Sequence, residues 1–317
     1  MACRQTRAAT ACRYREPERF RAGSSGRGRS LSVPALQALF ELARPGHWIK
    51  NGFVLLPLFF AHALLDAAAL HGALLATLAF CLAASAVYAL NDTRDVARDR
   101  LHPDKRNRPL ARGAISVASA LRMSALLALL AMAVAALANL QVVAVIAIYL
   151  ASQFAYSISL KHIPFGDVLL VASGFGLRIL AGGFGAQVPL TGWILLMAVL
   201  LALMLVLGKR HGDLVHDVQG RAALYDLRTV ERILVVLAAS VLGAYLLYSL
   251  SPDVIARHGH AALVYSSPWV VLGIARYLFL VLKRGAGGDP SRLATRDPLM
   301  LLASIGWLAT LGYILYG

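Results

Sequence analysis

Residues 91–113 read NDTRDVARDRLHPDKRNRPLARG and follow a long apolar run ending at Leu90. Asp92, Asp95 and Asp99 are spaced three and four apart. If the apolar helix continues through them, each position turns by about 100°, and the three carboxylates fall within an arc of about 60° on one face. Carboxylates so stacked repel one another when unpaired and suit a hard divalent cation. Mg²⁺ favours carboxylate and water oxygens and bridges to substrate phosphates. Lys105, Arg106, Arg108 and Arg112 follow at once, and such groups donate to phosphate oxygens, Arg as a fork. Acids for a metal beside bases for phosphate predict a Mg²⁺–diphosphate site at a membrane surface. Asp104, after His102–Pro103, is expected to lie off the helix. The bland alternative is a solvated helix end with ion pairs such as Asp95 with Arg98, each worth little.

Outward from this stretch the chain is greasy. Of its 317 residues 59% are hydrophobic and 15% charged, yet the net charge is +15. Soluble proteins carry roughly a quarter charged residues. Apolarity with a basic excess predicts an integral membrane protein rather than a nucleic-acid binder. Cys3, Cys12 and Cys81 have no metal or disulfide spacing. Residues 1–34 form a basic, Arg/Ser/Gly-rich tail without the apolar core of a signal peptide, and are predicted to be disordered. A span needs about 20 apolar residues, and nine candidates fit within 35–317: 52–65, 70–90, 117–137, 141–159, 165–184, 190–208, 230–250, 267–283 and 297–316. The fold class is therefore all-α and polytopic.

Basic residues alternate across the connections. Residues 1–51 hold ten Lys or Arg and 91–116 hold seven, on the side that also carries Lys161, Lys209, Arg210, Lys283 and Arg284. The opposite connections near 65–70, 138–140 and 185–189 hold none, and 251–266 holds Arg257 alone. The positive-inside rule places the N-terminus and the charged loops in the cytoplasm, as in a bacterial inner membrane.

NDTRDVARD resembles the NDxxDxxxD motif of the UbiA superfamily of intramembrane prenyltransferases, and RLHPDKRNRPLARG resembles its continuation. The resemblance runs from about Arg44 to the C-terminus. It implies a nine-helix bundle around a cytoplasm-facing cavity. Four further stretches resemble one branch, the decaprenyl-phosphate phosphoribosyltransferases. They are RPGHWIKN at 44–51, YSISLKHIPFGDVLLVASGFGLRILAGG at 156–183, GKRHGD at 208–213 and GDPSRLATRDPLM at 288–300. His47 stands where the branch favours Gln, and Gly212–Asp213 where Ala–Glu is usual.

The branch implies Mg²⁺-dependent transfer of 5-phosphoribose from phosphoribosyl diphosphate to a polyprenyl phosphate. Asp92, Asp95 and Asp99 would hold the metal. Lys105 and Arg178 join them as catalytic groups. Lys50, Asn51, Asn91, Lys105, Arg106, Arg108, Tyr156, Lys161, Asp167, Lys209, Arg210 and Asp213 are the candidate substrate contacts. Arg178 lies within an apolar span, where a charge is costly; a buried phosphate, or an acid on a neighbouring helix, would account for it. The alternative reading is a UbiA-type prenyltransferase with an aromatic acceptor such as 4-hydroxybenzoate, since Asp213 and Asp217 have a DxxxD spacing. A transporter or channel would crowd its polar groups at the midplane rather than at one surface. The partners are then the two substrates and membrane lipid, with homo-oligomers, dimeric or trimeric, compatible with the sequence.

Overall fold

The computed structural model of the chain describes residues 33–103, 105–158, 166–215, 226–258, 262–285, 293 and 295–316. Regular structure among them is helical. In chain order the α-helices are α1 (Val33–Ala43), α2 (Leu56–Phe60), α3 (Ala67–Leu101), α4 (Val117–Ala138), α5 (Leu140–Ile158), α6 (Gly166–Ala186), α7 (Gly192–Val215), α8 (Leu227–Ser249), α9 (Pro252–His258), α10 (Ser267–Arg284) and α11 (Pro298–Tyr316). A 3-10 segment, Pro45–Leu55, joins α1 to α2.

Among the described residues, seven helical stretches are long and apolar enough to cross a membrane, with Leu140–Tyr156 a shorter eighth. The sequence predicted nine. The difference is residues 52–65, which form the end of the 3-10 segment, the five-residue α2 and then turns. Pro45, Gly46, Gly52 and Pro57 crowd this region, and both residue types disfavour a continuous α-helix. The protein is a multi-pass membrane protein.

Helix α3 is the axis of the site. Its start is capped by Asp66, whose carboxylate accepts from the backbone N–H groups of Ala68 and Ala69 at 2.9 and 3.2 Å. An alanine-rich sequence then carries the helix past its apolar run, through the aspartates, to Leu101, just before Pro103. Thirty-five residues make a rod of about 52 Å, longer than the roughly 30 Å hydrocarbon core. The aspartate end therefore projects to a surface.

Helix α3 packs on α4, α5, α6 and the 3-10 segment. Val54, Phe80, Val87, Ile146, Tyr149 and Ala181 are buried together in that core. A second core joins α7, α8 and α10 through Met204, Leu234, Ile274 and Tyr277. Gly182 lies against the carbonyl of Val54, where a Cβ would have no room, so α6 approaches the 3-10 backbone directly.

Candidate active site

The 3-10 segment runs antiparallel along α3 and is fastened to it at three levels. Deepest, Asn51 donates to Cys81 Sγ at 3.1 Å. One level up, Trp48 Nε1 donates to Ser85 Oγ at 3.0 Å, and that hydroxyl donates to the carbonyl of Ala43 at 2.8 Å. At the top, Arg44 Nη2 meets both carboxylate oxygens of Asp92 at 2.6 and 2.7 Å.

Ser85, Asp92 and Asp99 are seven apart and share one face of α3, because seven residues return to within about 20°. Asp92 and Asp99 are buried, 4% and 3% exposed. Arg108 bridges them: Nη1 lies 2.7 Å from Asp99 Oδ2 and 3.3 Å from Asp92 Oδ1. Two acids and two guanidiniums thus form a formally neutral quartet. Asp95, about 60° round the helix, is partly exposed and faces Arg98 at 3.8 Å. Arg112 pairs with Glu41 of α1 at 2.7 Å, which ties the basic loop back across the site.

Arg44 has left-handed backbone, φ 52° and ψ 57°, a conformation that costs a non-glycine residue about 1 kcal/mol or more. Its surroundings hold it there. Its N–H donates to the Glu41 carbonyl at 3.2 Å, and its own carbonyl accepts from His47 N–H at 2.9 Å. The guanidinium also lies over the Tyr88 ring, 5.2 Å from its centre.

Arg178 belongs to the deep level. Its Nε donates to Asn51 Oδ1 and its Nη1 to the Gly174 carbonyl, each at 2.8 Å. The rings of Phe80, Tyr149 and Phe175 surround it at 4.9, 5.5 and 5.5 Å. It is 7% exposed and has no acid partner among the described residues. Cys81, at this level, lies eleven residues before Asp92 on α3, about 16 Å along the axis. Arg178 and the aspartates therefore occupy two sites at different depths.

Among the described residues no three His, Cys, Asp or Glu side chains stand close enough to share one ion. Asp92 and Asp99 nonetheless converge on a single cation, the Arg108 guanidinium, and buried carboxylates sharing one positive charge suit Mg²⁺ with water and phosphate completing its shell. Asp95 is turned aside.

Comparison with known proteins places this arrangement. The UbiA prenyltransferase family matches residues 54–313. The chain belongs to that family. It is 30% identical over 298 residues to the decaprenyl-phosphate phosphoribosyltransferase of Mycolicibacterium smegmatis, covering 89% of this chain and 93% of that protein. It is 31% identical to the protein of the same name from Corynebacterium glutamicum, covering 85% and 84%. Among solved structures, a UbiA homolog from Archaeoglobus fulgidus bound to DMAPP and Mg²⁺ superposes with TM-score 0.68 at 21% identity, over 88% of this chain and 99% of that one. This likeness concerns the fold.

Within this UbiA-family chain the remaining predicted residues distribute as follows. Lys50 and Asn91 are half-buried, beside Asn51 and Asp92 respectively. Lys105 and Arg106 open the short 3-10 turn after α3, Lys105 half-buried and Arg106 exposed; the Lys105 N–H donates to His102 Nδ1 at 3.4 Å. Tyr156 is half-buried near the end of α5. Lys209 is exposed on α7, while Arg210 is buried and faces Asp213 at 3.8 Å. Lys161, Asp104, Asp217 and the tail through residue 32 lie outside the described residues, as does the side chain of Asp167 in α6.

Two groups were absent from the sequence reading. Arg44 was visible only as the first letter of RPGHWIKN. His211 is 1% exposed and has Nε2 3.2 Å from Glu231 of α8; in the sequence it has no ligand-like spacing to mark it. In the RD pair before α11, Asp297 has an architectural set of partners. Asp297 takes Arg276 Nε and Nη2 on its two oxygens and accepts the Met300 N–H at 3.1 Å. That Arg fork holds the Asp297 carboxyl below the usual carboxylate range, and the backbone bond adds to it.

Proposed function

We propose that this protein transfers 5-phosphoribose from phosphoribosyl diphosphate to a polyprenyl phosphate of decaprenyl type, releasing diphosphate. The observation that carries the proposal is the convergence of three separate motifs on Asp92. NDxxDxxxD supplies Asp92 and Asp99, HPxKxxRP supplies Arg108, and RPxxWxKN supplies Arg44. The last of these belongs to the phosphoribosyltransferase branch, and both relatives named above are decaprenyl-phosphate phosphoribosyltransferases. The site is assigned to the cytoplasmic face of the inner membrane on the charge of its loops.

Asp92 and Asp99 would hold Mg²⁺, with Asp95 one turn away on the same helix. Mg²⁺, when bound, would supply positive charge to the departing diphosphate. Arg108, Lys105 and Arg106 donate to the diphosphate oxygens as charge builds on them. The C1–O bond to diphosphate breaks as an oxygen of the lipid phosphate bonds to C1 from the opposite face, which inverts that centre. The attacking oxygen is already anionic, so the protein supplies no nucleophile and no base. Its work is to orient two anions that repel each other and to exclude water from C1.

The test is direct. Purified protein with Mg²⁺, labelled phosphoribosyl diphosphate and a polyprenyl phosphate is expected to move label into the organic phase. Asp92→Asn is expected to abolish this transfer. Label that stays aqueous, with polyprenyl diphosphate consumed when 4-hydroxybenzoate is supplied, would overturn the reading in favour of aromatic prenylation.

A further inference from the structure

Arg44 occupies an unusual position for a residue that merely closes a loop. Its backbone is held in the left-handed region by bonds on both sides. The side chain so aimed reaches 48 positions along the chain to cover both oxygens of a buried carboxylate. Among the described residues that carboxylate has no backbone donor. Its partners among the described residues are Arg44 and Arg108 alone. The Asp92 oxygens that a metal needs are therefore already taken by guanidinium, and the quartet is formally neutral without any ion.

We propose that Arg44 is an internal counter-cation that makes metal and diphosphate bind together. The inference rests on the assignment of Asp92 and Asp99 as metal carriers. A divalent ion arriving alone must push Arg44 off Asp92, and the displaced guanidinium then has no anion to receive it. A diphosphate arriving alone can draw Arg44 and Arg108 to its oxygens, but it strips two buried carboxylates of their partners. The first leaves a half-buried guanidinium without an anion and the second leaves two buried carboxylates without cations, and both are unfavourable. Arriving together, the two exchange partners with the quartet: carboxylates turn to the metal and guanidiniums to phosphate. Every charge remains paired throughout. Arg44 is thus a positioning residue for the donor, and the site resists occupation by either free metal or free diphosphate.

Linkage makes this measurable, because each ligand must raise the other's affinity by the same factor. Mn²⁺ retained by the full-length protein in detergent is measured by equilibrium dialysis at matched free Mn²⁺, with and without inorganic pyrophosphate as probe, so that the Mn²⁺–pyrophosphate complex formed in solution is counted on both sides. In the unaltered protein, pyrophosphate is expected to tighten Asp92-dependent Mn²⁺ binding by about 10- to 100-fold, within the range of known couplings. Arg44→Gln is expected to bind Mn²⁺ more tightly without pyrophosphate and to lose most of the coupling. Arg44→Lys keeps the charge but not the fork, is the milder change for folding, and is expected to fall between the two.

Tight Mn²⁺ binding by the unaltered protein without pyrophosphate, lost in Asp92→Asn, overturns the exchange while leaving the metal assignment intact. So does coupling of full size in both Arg44 variants. Mn²⁺ binding that ignores Asp92→Asn under both conditions overturns the metal assignment, and the exchange with it.

Discussion

Two Arg–Asp pairs in this molecule look alike and do opposite work. At the start of α11, Asp297 spends its oxygens on the Arg276 fork and on the Met300 N–H of its own helix. At the surface end of α3, Asp92 sits far inside a helix whose N–H groups are already committed, and among the described residues its oxygens meet guanidinium alone. The first acid is fixed from two directions, one of them backbone, and joins α10 to α11. The second has only side-chain partners, and one of these, Arg108, is shared with Asp99. A carboxylate bound by backbone is a structural part. A carboxylate bound only by movable cations can exchange them.

The sharpest way to break the comparison is to neutralise each acid in turn. Asp92→Asn removes a charge from the quartet and leaves Arg108 on Asp99. Phosphoribosyl transfer is expected to fall by 100-fold or more, the scale seen when one group that stabilises a charged transition state is lost, while the thermal melt still shows a folded protein. Organic-phase label and a melting curve on one preparation measure both. Transfer within tenfold of the unaltered protein would place Asp92 with Asp297 among the structural acids.

The contrast also shows how far the sequence could be read. The 3-4 spacing of Asp92, Asp95 and Asp99 set one helix face, and burial of Asp92 and Asp99 beside a shared Arg108 follows that periodicity. Asp95 lies about 60° from Asp92 and about 40° from Asp99 in the same arithmetic, and it is partly exposed. Arg44 was another matter. Its meeting with Asp92 depends on a left-handed residue before Pro45 and on the Trp48–Ser85 bond, and long-range contacts of this kind leave no periodic trace. The missing ninth long helix has a local cause: apolarity predicted a span at 52–65, but it says nothing about backbone, and Pro57 with the nearby glycines broke the helix. Arg178 was legible as a costly charge. Its answer, Asn51 with three aromatic rings rather than an acid, was not.

A smaller effect is expected at the other pair. Asp297→Asn loses the charge that Arg276 grips. The Asn amide oxygen can still accept the Met300 N–H, so what is lost is the ion pair with Arg276. Pairs of this kind are worth about 1 kcal/mol or less, which lowers the melting temperature by at most roughly 2–4 °C in a chain of this size or somewhat smaller. Transfer activity is expected to stay within twofold at permissive temperature. The acid dependence has a defined sign. The folded-state pKa of Asp297 is depressed by Arg276, so its contribution is present above the unfolded value of about 3.9. That contribution is lost as pH falls through the depressed value. The gap in melting temperature between variant and unaltered protein is therefore expected to be full at neutral pH and to close below about pH 4. A gap that persists there would mean that the Arg276–Asp297 charge pair is not what the variant loses.

The smallest effect on the aspartate site is expected from the strangest residue. Arg178 of α6 bonds Asn51 of the 3-10 segment, which starts immediately after Arg44, and a rigid segment could carry a disturbance from one to the other. The fastening at Trp48 and Ser85 stands between them, and the two levels are about 16 Å apart along α3. Arg178→Met keeps much of the side chain's length and its contact with the rings of Phe80, Tyr149 and Phe175, and it leaves Asn51 only its bond to Cys81. The coupling between Mn²⁺ and pyrophosphate is expected to stay within twofold of the unaltered protein, because the quartet and its fastening are untouched. Transfer to polyprenyl phosphate is expected to fall in the same variant. That split would assign Arg178 to a step after donor and metal have bound, at a depth the lipid acceptor can reach. Coupling lost along with transfer would mean that the 3-10 segment moves as one piece and that the two levels act as a single site.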